Sequence, residues 1–157
     1  MIHISLQTRN ESSRKGLYRT DALRRLAGRV LQGEGAAGEF ELSVLFCDDP
    51  FIAELNKTYR KRRGPTDVLS FDQEPSETPA GARVLGDIVI SLETVERFCA
   101  GDPEAMRAEV RLLFCHGLLH LLGHEHGTTE GRRIMQERQA GHLGVSPELA
   151  WHGRKPA

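Results

Sequence analysis

Four of the seven histidines lie within eleven residues, in the string His116-Gly117-Leu118-Leu119-His120-Leu121-Leu122-Gly123-His124-Glu125-His126. On a helix, residues four apart share a face with Cβ atoms about 5–6 Å apart. The imidazoles of His116 and His120 can therefore meet one ion at Zn–N distances of about 2.0–2.1 Å. Gly123 can take the left-handed conformation that stops a helix, which lets the chain turn back and bring His126 to the same ion. His116, His120 and His126 would then supply three neutral nitrogens and leave a fourth tetrahedral position for water, the arrangement of catalytic rather than structural zinc sites. A lone histidine on an apolar helix is more often a hydrogen-bonded core residue. Two at i and i+4 in a dry environment each need a polar partner, and a shared metal satisfies both. His124 competes for the third position, because i, i+4 and i+8 keep one face of a continuous helix. Gly123 argues against that continuity and favours His126.

The spacing of His116, His120, Gly123 and His126 is that of the long zinc-protease signature, with one element absent. Those enzymes place a glutamate directly after the first histidine as general base, and here that position is Gly117. Glu125 could substitute only by reaching around the metal. The site thus holds a Lewis acid and a water activator without a protease base.

A second segment carries charge. Between Lys57 and Arg63 five of seven residues are cationic (Lys57, Arg60, Lys61, Arg62 and Arg63). The whole chain has 21 Lys and Arg against 22 Asp and Glu, a formal net charge of −1. That balance excludes wholesale coating of nucleic acid or of a membrane by a basic protein, but it leaves room for a local patch. A charge run alone is usually a solvated face. Beside a hydrolytic metal it fits phosphate chemistry, because Arg and Lys clamp phosphate oxygens and neutralise charge developing at phosphorus. Tyr59 within the run could stack on a base or pack in the core.

These segments must be positioned by a folded domain, and 157 residues suffice for one hydrophobic core without disulfide staples. A hydrophobic fraction of 39% with 27% charged residues argues against disorder. The three cysteines are widely spaced and form no CxxC pair, which indicates reduced, buried thiols and excludes a cysteine-rich zinc site. Residues 112–123 form the longest mostly apolar stretch, too short for the roughly 20 residues of a membrane span. The amino terminus does not read as a signal peptide, so the expectation is a soluble cytoplasmic protein.

Period-2 alternation predicts strands at Ile2, Ile4 and Leu6 and from Phe40 to about Cys47. Polar residues from Thr8 to Lys15 read as a loop. Helical spacing of Leu23, Leu26, Ala27, Val30 and Leu31 predicts a helix ended by the glycine-rich stretch 33–38. Asp49-Pro50 reads as an N-cap and first-turn pair opening a short helix. Short strands follow at 68–71 and 84–91, separated by a mobile loop over 72–82. Ser91, Asp102 and Thr128 or Thr129 are suited to cap three further helices. The second of these is apolar all round from Leu112, which places it in the domain centre. The expectation is an α+β fold, a mixed sheet of about four strands against about five helices, with the metal site at the end of a buried helix. Residues 1–157 read as one metallo-hydrolase domain, 1–145 as its globular core and 146–157 as a tail.

Four stretches in this order resemble the YbeY family of single-strand-specific metallo-endoribonucleases: Leu55-Asn56-Lys57-Thr58-Tyr59-Arg60, Pro65-Thr66-Asp67-Val68-Leu69-Ser70-Phe71, Leu85-Gly86-Asp87-Ile88-Val89-Ile90-Ser91, and the histidine string. The resemblance covers roughly residues 55–127, and the ends match only in their order of elements. It implies one zinc ion per chain, held by His116, His120 and His126, and a functional arginine that falls on Arg60. Lys57, Lys61, Arg62 and Arg63 are the accompanying candidates for substrate contact. Glu125 stands where the family usually has Asp, a change that keeps the charge and lengthens the side chain. The resemblance further implies single-stranded RNA as substrate, ribosomal RNA and the ribosome as partners, trimming of small-subunit ribosomal RNA at its 3′ end, and ribosome quality control. Two other classes compete on the residues alone: a metalloprotease, and a zinc-stabilised RNA-docking module without catalysis.

Overall fold

The computed structural model describes residues 1–73 and 77–151. In chain order the elements are β1 (Ile2–Asn10), α1 (Thr20–Gly33), β2 (Gly38–Cys47), α2 (Asp49–Leu55), a π-type turn (Asn56–Arg60), β3 (Val68–Phe71), β4 (Arg83–Ser91), α3 (Leu92–Phe98), α4 (Pro103–Leu121), α5 (Thr129–Leu143) and a 3₁₀ turn (Pro147–Leu149). The four strands form one mixed sheet in the order β1-β2-β4-β3. β1 and β4 both run parallel to β2, and β3 returns antiparallel along β4 with Val68 opposite Ile90 and Phe71 opposite Asp87. The fold is α+β, as the sequence pattern predicts.

Alternation in β2 turns Phe40, Leu42, Val44 and Phe46 inward. They join α1 and α4 in the main core, while Cys47, Leu69 and Val89 form a smaller cluster with Ile52 of α2. α4 is buried almost throughout its second half: Leu113, Phe114, Cys115, Leu118 and Leu119 have no exposure. At about 1.5–3 kcal/mol per fully buried large apolar side chain, an upper estimate, this helix anchors the domain. Burial also pushes the Cys115 and Cys47 thiols up to about 12, so both remain protonated.

Three boundaries depart from the sequence reading. β1 continues through Thr8, Arg9 and Asn10 because these pair with Val44, Leu45 and Phe46; sheet pairing overrides their polar character. Asp49 lies inside α2, and its carboxylate accepts hydrogen bonds from Ser91 Oγ (2.8 Å), Thr94 Oγ1 and Arg97 instead of capping its own helix. The stretch assigned to a tail contributes Ala150 and Trp151 to the interior, Trp151 being only 7% exposed. Of the loop expected over 72–82, residues 77–83 form a turn closed by Thr78 N–H to the Ala82 carbonyl (2.8 Å) and a Glu77–Arg83 bridge. Residues 74–76 of that loop, and 152–157 of the expected tail, lie outside the described residues.

Candidate metal centre

α4 carries His116 and His120 on one face, one turn apart, and their Nε2 atoms are 3.2 Å apart. Two nitrogens each about 2.0–2.1 Å from one ion at a tetrahedral angle lie about 3.3 Å apart, so the pair already has the separation that shared ligation needs. The helix ends at Leu121, and Gly123 takes φ +104°, a conformation that L side chains rarely adopt. The reversal brings the His126 ring to 4.8 Å from that of His120 and 5.1 Å from that of His116, centroid to centroid. The ligand atoms of the three histidines all lie within 4.8 Å of one another. Three imidazoles in this arrangement fit a borderline metal such as zinc.

His124 turns away from this centre. Its Nε2 is 2.7 Å from Glu34 Oε1 at the end of α1, and Glu34 Oε2 is 2.7 Å from His142 Nε2 on α5. The segment leading to His126 is thereby tied to two helices. Desolvation opposes ionisation of Glu34, but hydrogen bonds from both histidines hold its carboxyl below the usual range.

His116 is buried, and its Nδ1 lies 2.7 Å from Oε1 of the fully buried Gln139 on α5. The amide oxygen can only accept, so Nδ1 carries the proton and Nε2 presents its lone pair toward the other histidines. Gln139 is itself oriented, because its amide nitrogen donates to the Ala150 carbonyl. Trp151 stands edge-on to His116 and His126, each with a 5.3 Å centroid separation, and Arg132 lies over its ring at 4.8 Å. Burial lowers the pKa of His120, reinforced by the nearby His126 and Arg60. Burial also lowers that of His126, again with a contribution from Arg132 and Arg60. Both effects keep these rings neutral, the state that binds metal.

The histidines open onto a cavity of about 430 Å³ whose other walls include Asn56, Arg60, Arg62, Arg63 and Asp67. The arginines are placed by local backbone chemistry. The π-type turn lets Lys61 N–H bond the Asn56 carbonyl, and Lys61 takes φ 55°. The buried Asn56 side chain then donates to the Gly64 carbonyl (3.0 Å), closing the loop. Thus three of the five cationic residues line the same cavity as the histidines. Lys57 and Lys61 are exposed and lie outside the cavity lining. Tyr59, 63% exposed, meets Phe71 edge-on at 5.3 Å and lines a separate cavity of about 800 Å³ on the opposite face of the sheet, so it is neither in the core nor at the metal centre. Glu125 is exposed and outside the cavity lining.

Gly117 has a packing reason. A Cβ there would lie 3.0–3.4 Å from three side-chain carbons of the fully buried Ile88 on β4. The glycine that replaces the protease glutamate is what lets α4 approach the sheet.

Gln139, Trp151 and Asn56 were not legible as site residues from the sequence. Each acts through a tertiary contact, and none stands at a spacing that signals chemistry.

Fold and site together define an α+β domain with a three-histidine centre of metal-binding character, at the end of its central helix and facing an arginine-lined cavity. The family model described as Endoribonuclease YbeY matches residues 7–145, and the chain belongs to that family. It is 42% identical over 128 residues to "Endoribonuclease YbeY" of Pelotomaculum thermopropionicum, covering 80% of this chain and 84% of that protein. The corresponding protein of Aquifex aeolicus is 43% identical, with 72% and 73% covered. A chloroplastic "Endoribonuclease YBEY" of Arabidopsis thaliana is 41% identical over 73% of this chain, but only 19% of that longer protein. The solution structure of TM1509 from Thermotoga maritima shares the fold at a TM-score of 0.51 and 24% identity, over 96% of this chain and 89% of that one. Among the described residues, no helix is long and apolar enough to cross a membrane.

Proposed function

We propose that the protein is a zinc-dependent endoribonuclease that cleaves single-stranded RNA, acting in the cytoplasm on the 3′ end of small-subunit ribosomal RNA and in ribosome quality control. The observation that carries the reading is the convergence of His116, His120 and His126 in a cavity that Arg60, Arg62 and Arg63 also line. The family match supports RNA as the substrate class, and the ribosomal assignment rests on the resemblance of the motif set. Bound at the three imidazoles, a zinc ion supplies a Lewis acid and a water of depressed pKa. Gln139 orients the His116 ring for that ligation. Arg60 binds the scissile phosphate and neutralises the charge that builds on its oxygens in the transition state, while Arg62 and Arg63 extend the grip along the backbone. The same residues disfavour the metalloprotease alternative, since position 117, where that reading needs a glutamate base, is a glycine.

Metal analysis paired with cleavage of single-stranded RNA and of denatured protein, each with and without chelator, tests the assignment. The expected outcome is one zinc per chain and chelator-sensitive cleavage of RNA alone. Arg60→Glu should abolish cleavage with zinc content intact, and His116→Ala should lose both together. Wild-type cleavage by Arg60→Glu would refute that arginine's role. RNA binding unaffected by chelation, with no cleavage at any metal load, would favour the docking module.

A further inference from the structure

We infer that Trp151 is a positioning residue for the metal centre, which fixes the His126 ring against that of His116 before an ion arrives. The inference rests on the three-histidine metal reading above, and it gives Trp151 no part in ligation, because an indole is not a metal ligand. His116 and His120 are placed by the backbone of α4, whereas His126 lies in residues 124–126, which have no regular structure. Its ring orientation is therefore set by what packs on it. The Trp151 indole stands 5.3 Å from the His126 ring at an interplanar angle of 81°, and 5.3 Å from the His116 ring at 90°. One rigid side chain thus spans a ligand on the helix and a ligand beyond it. Rings ordered in advance lose less freedom when the ion binds, and preorganisation of this kind raises affinity.

Trp151 is held in turn by a stripe of α5. Arg132, Gln136 and Gln139 stand at i, i+4 and i+7, which share one face of a helix. The Gln136 amide donates to the Pro147 carbonyl (2.6 Å), the Gln139 amide donates to the Ala150 carbonyl, and the Arg132 guanidinium lies 4.8 Å over the indole. Gly144, at φ 69°, ends α5, and the 3₁₀ turn Pro147–Leu149 then delivers Ala150 to the interior with no exposure. With several anchors, the segment stays seated when one bond is lost. Three polar side chains on one helix face read as solvated from pattern alone; here they dock the segment that carries the indole.

The family match ends at residue 145, so this support comes from a part of the chain outside the matched residues. Trp151 is also the sole tryptophan of the sequence, and its emission therefore reports directly on the surroundings of the two histidines.

The experiment uses the full chain and compares wild type, Trp151→Ala, Trp151→Phe, His126→Ala and Leu23→Ala, the last a truncation of a fully buried core side chain on α1. Zinc affinity is read by competition with a chromogenic chelator, and coordination geometry by the visible absorption of cobalt(II) in place of zinc, both below the thermal midpoint of each variant. Trp151→Ala should bind zinc about 10–100-fold more weakly, and its cobalt(II) spectrum should move toward that of His126→Ala. Trp151→Phe keeps an aromatic ring against His126 and should recover most of the affinity. Leu23→Ala should lose stability yet keep the wild-type affinity and spectrum. In the wild type, stoichiometric cobalt(II) should quench the tryptophan emission. Wild-type zinc affinity and cobalt(II) spectrum in Trp151→Ala, an equal loss of affinity in Leu23→Ala, or wild-type emission that bound cobalt(II) leaves unchanged would each overturn the assignment. Wild-type protein that binds no zinc would refute the metal reading and this inference together, whereas protein that binds zinc and leaves RNA intact would refute the ribonuclease reading alone.

Discussion

Replacing Gln139 by Leu tests how the buried amide prepares the metal centre. In the wild type Gln139 has no exposure, accepts from His116 Nδ1 at 2.7 Å and donates to the Ala150 carbonyl. Leucine conserves much of the volume but leaves two buried polar groups without their partner, at about 1–3 kcal/mol each. The fold should therefore lose roughly 2–6 kcal/mol, a large part of a domain's typical stability of about 5–15 kcal/mol. Loss of a ligand-orienting hydrogen bond typically weakens metal binding about 10–100-fold, or roughly 1.4–2.7 kcal/mol. Gln139→Glu separates the two effects: a carboxylate still accepts from Nδ1, so zinc affinity should hold, while the lost donor to Ala150 lowers stability. Competition with a chromogenic chelator gives the zinc affinity, and urea unfolding of the metal-free protein gives the stability. A zinc affinity for Gln139→Leu within twofold of wild type would refute the claim that this amide sets the His116 tautomer.

Two further outcomes follow from the packing and charge of the same region. A mid-helix Gly→Ala change normally gains about 0.8–1 kcal/mol, but at Gly117 the new Cβ meets the fully buried Ile88 side chain at 3.0–3.4 Å, and overpacking costs about 1–3 kcal/mol. Gly117→Ala should consequently fail to raise the thermal midpoint, and a clear rise would show that α4 can back away from β4. His120 and His126 have folded pKa values below that of an unfolded histidine, about 6.5, so in mildly acid solution the unfolded chain binds more protons. The metal-free protein should then keep its full stability above pH 6.5 and lose it as pH falls toward the folded values, with zinc release in the same direction. Stability that is flat or rising between pH 7 and 5 in thermal melts, after subtraction of a His120→Gln, His126→Gln control, would contradict the burial of these rings.

Much of this protein is written locally. The α+β class, the nine strands and helices of the described residues in their order and the histidine spacing were legible because alternation, helical periodicity and capping act over a few residues. Gly123 identified the turn that separates His126 from His124 for the same reason: a backbone reversal at one glycine is a local event. What the sequence could not carry was the company these residues keep. Gln139 is 23 residues from His116, and Trp151 reaches the histidines from a segment that composition alone marks as a tail. Asp67 reaches the cavity lining because β3, which it precedes, returns along β4. The destination of His124, a carboxylate 90 residues away, and the need for glycine at 117 likewise became visible only when α1, α4 and the sheet were packed together. Short-range sterics and hydrogen bonding determine the ligands and the elements that carry them. The proton on His116, the closeness of α4 to β4 and the partner of His124 come from contacts between distant segments, which form only when the core buries them together.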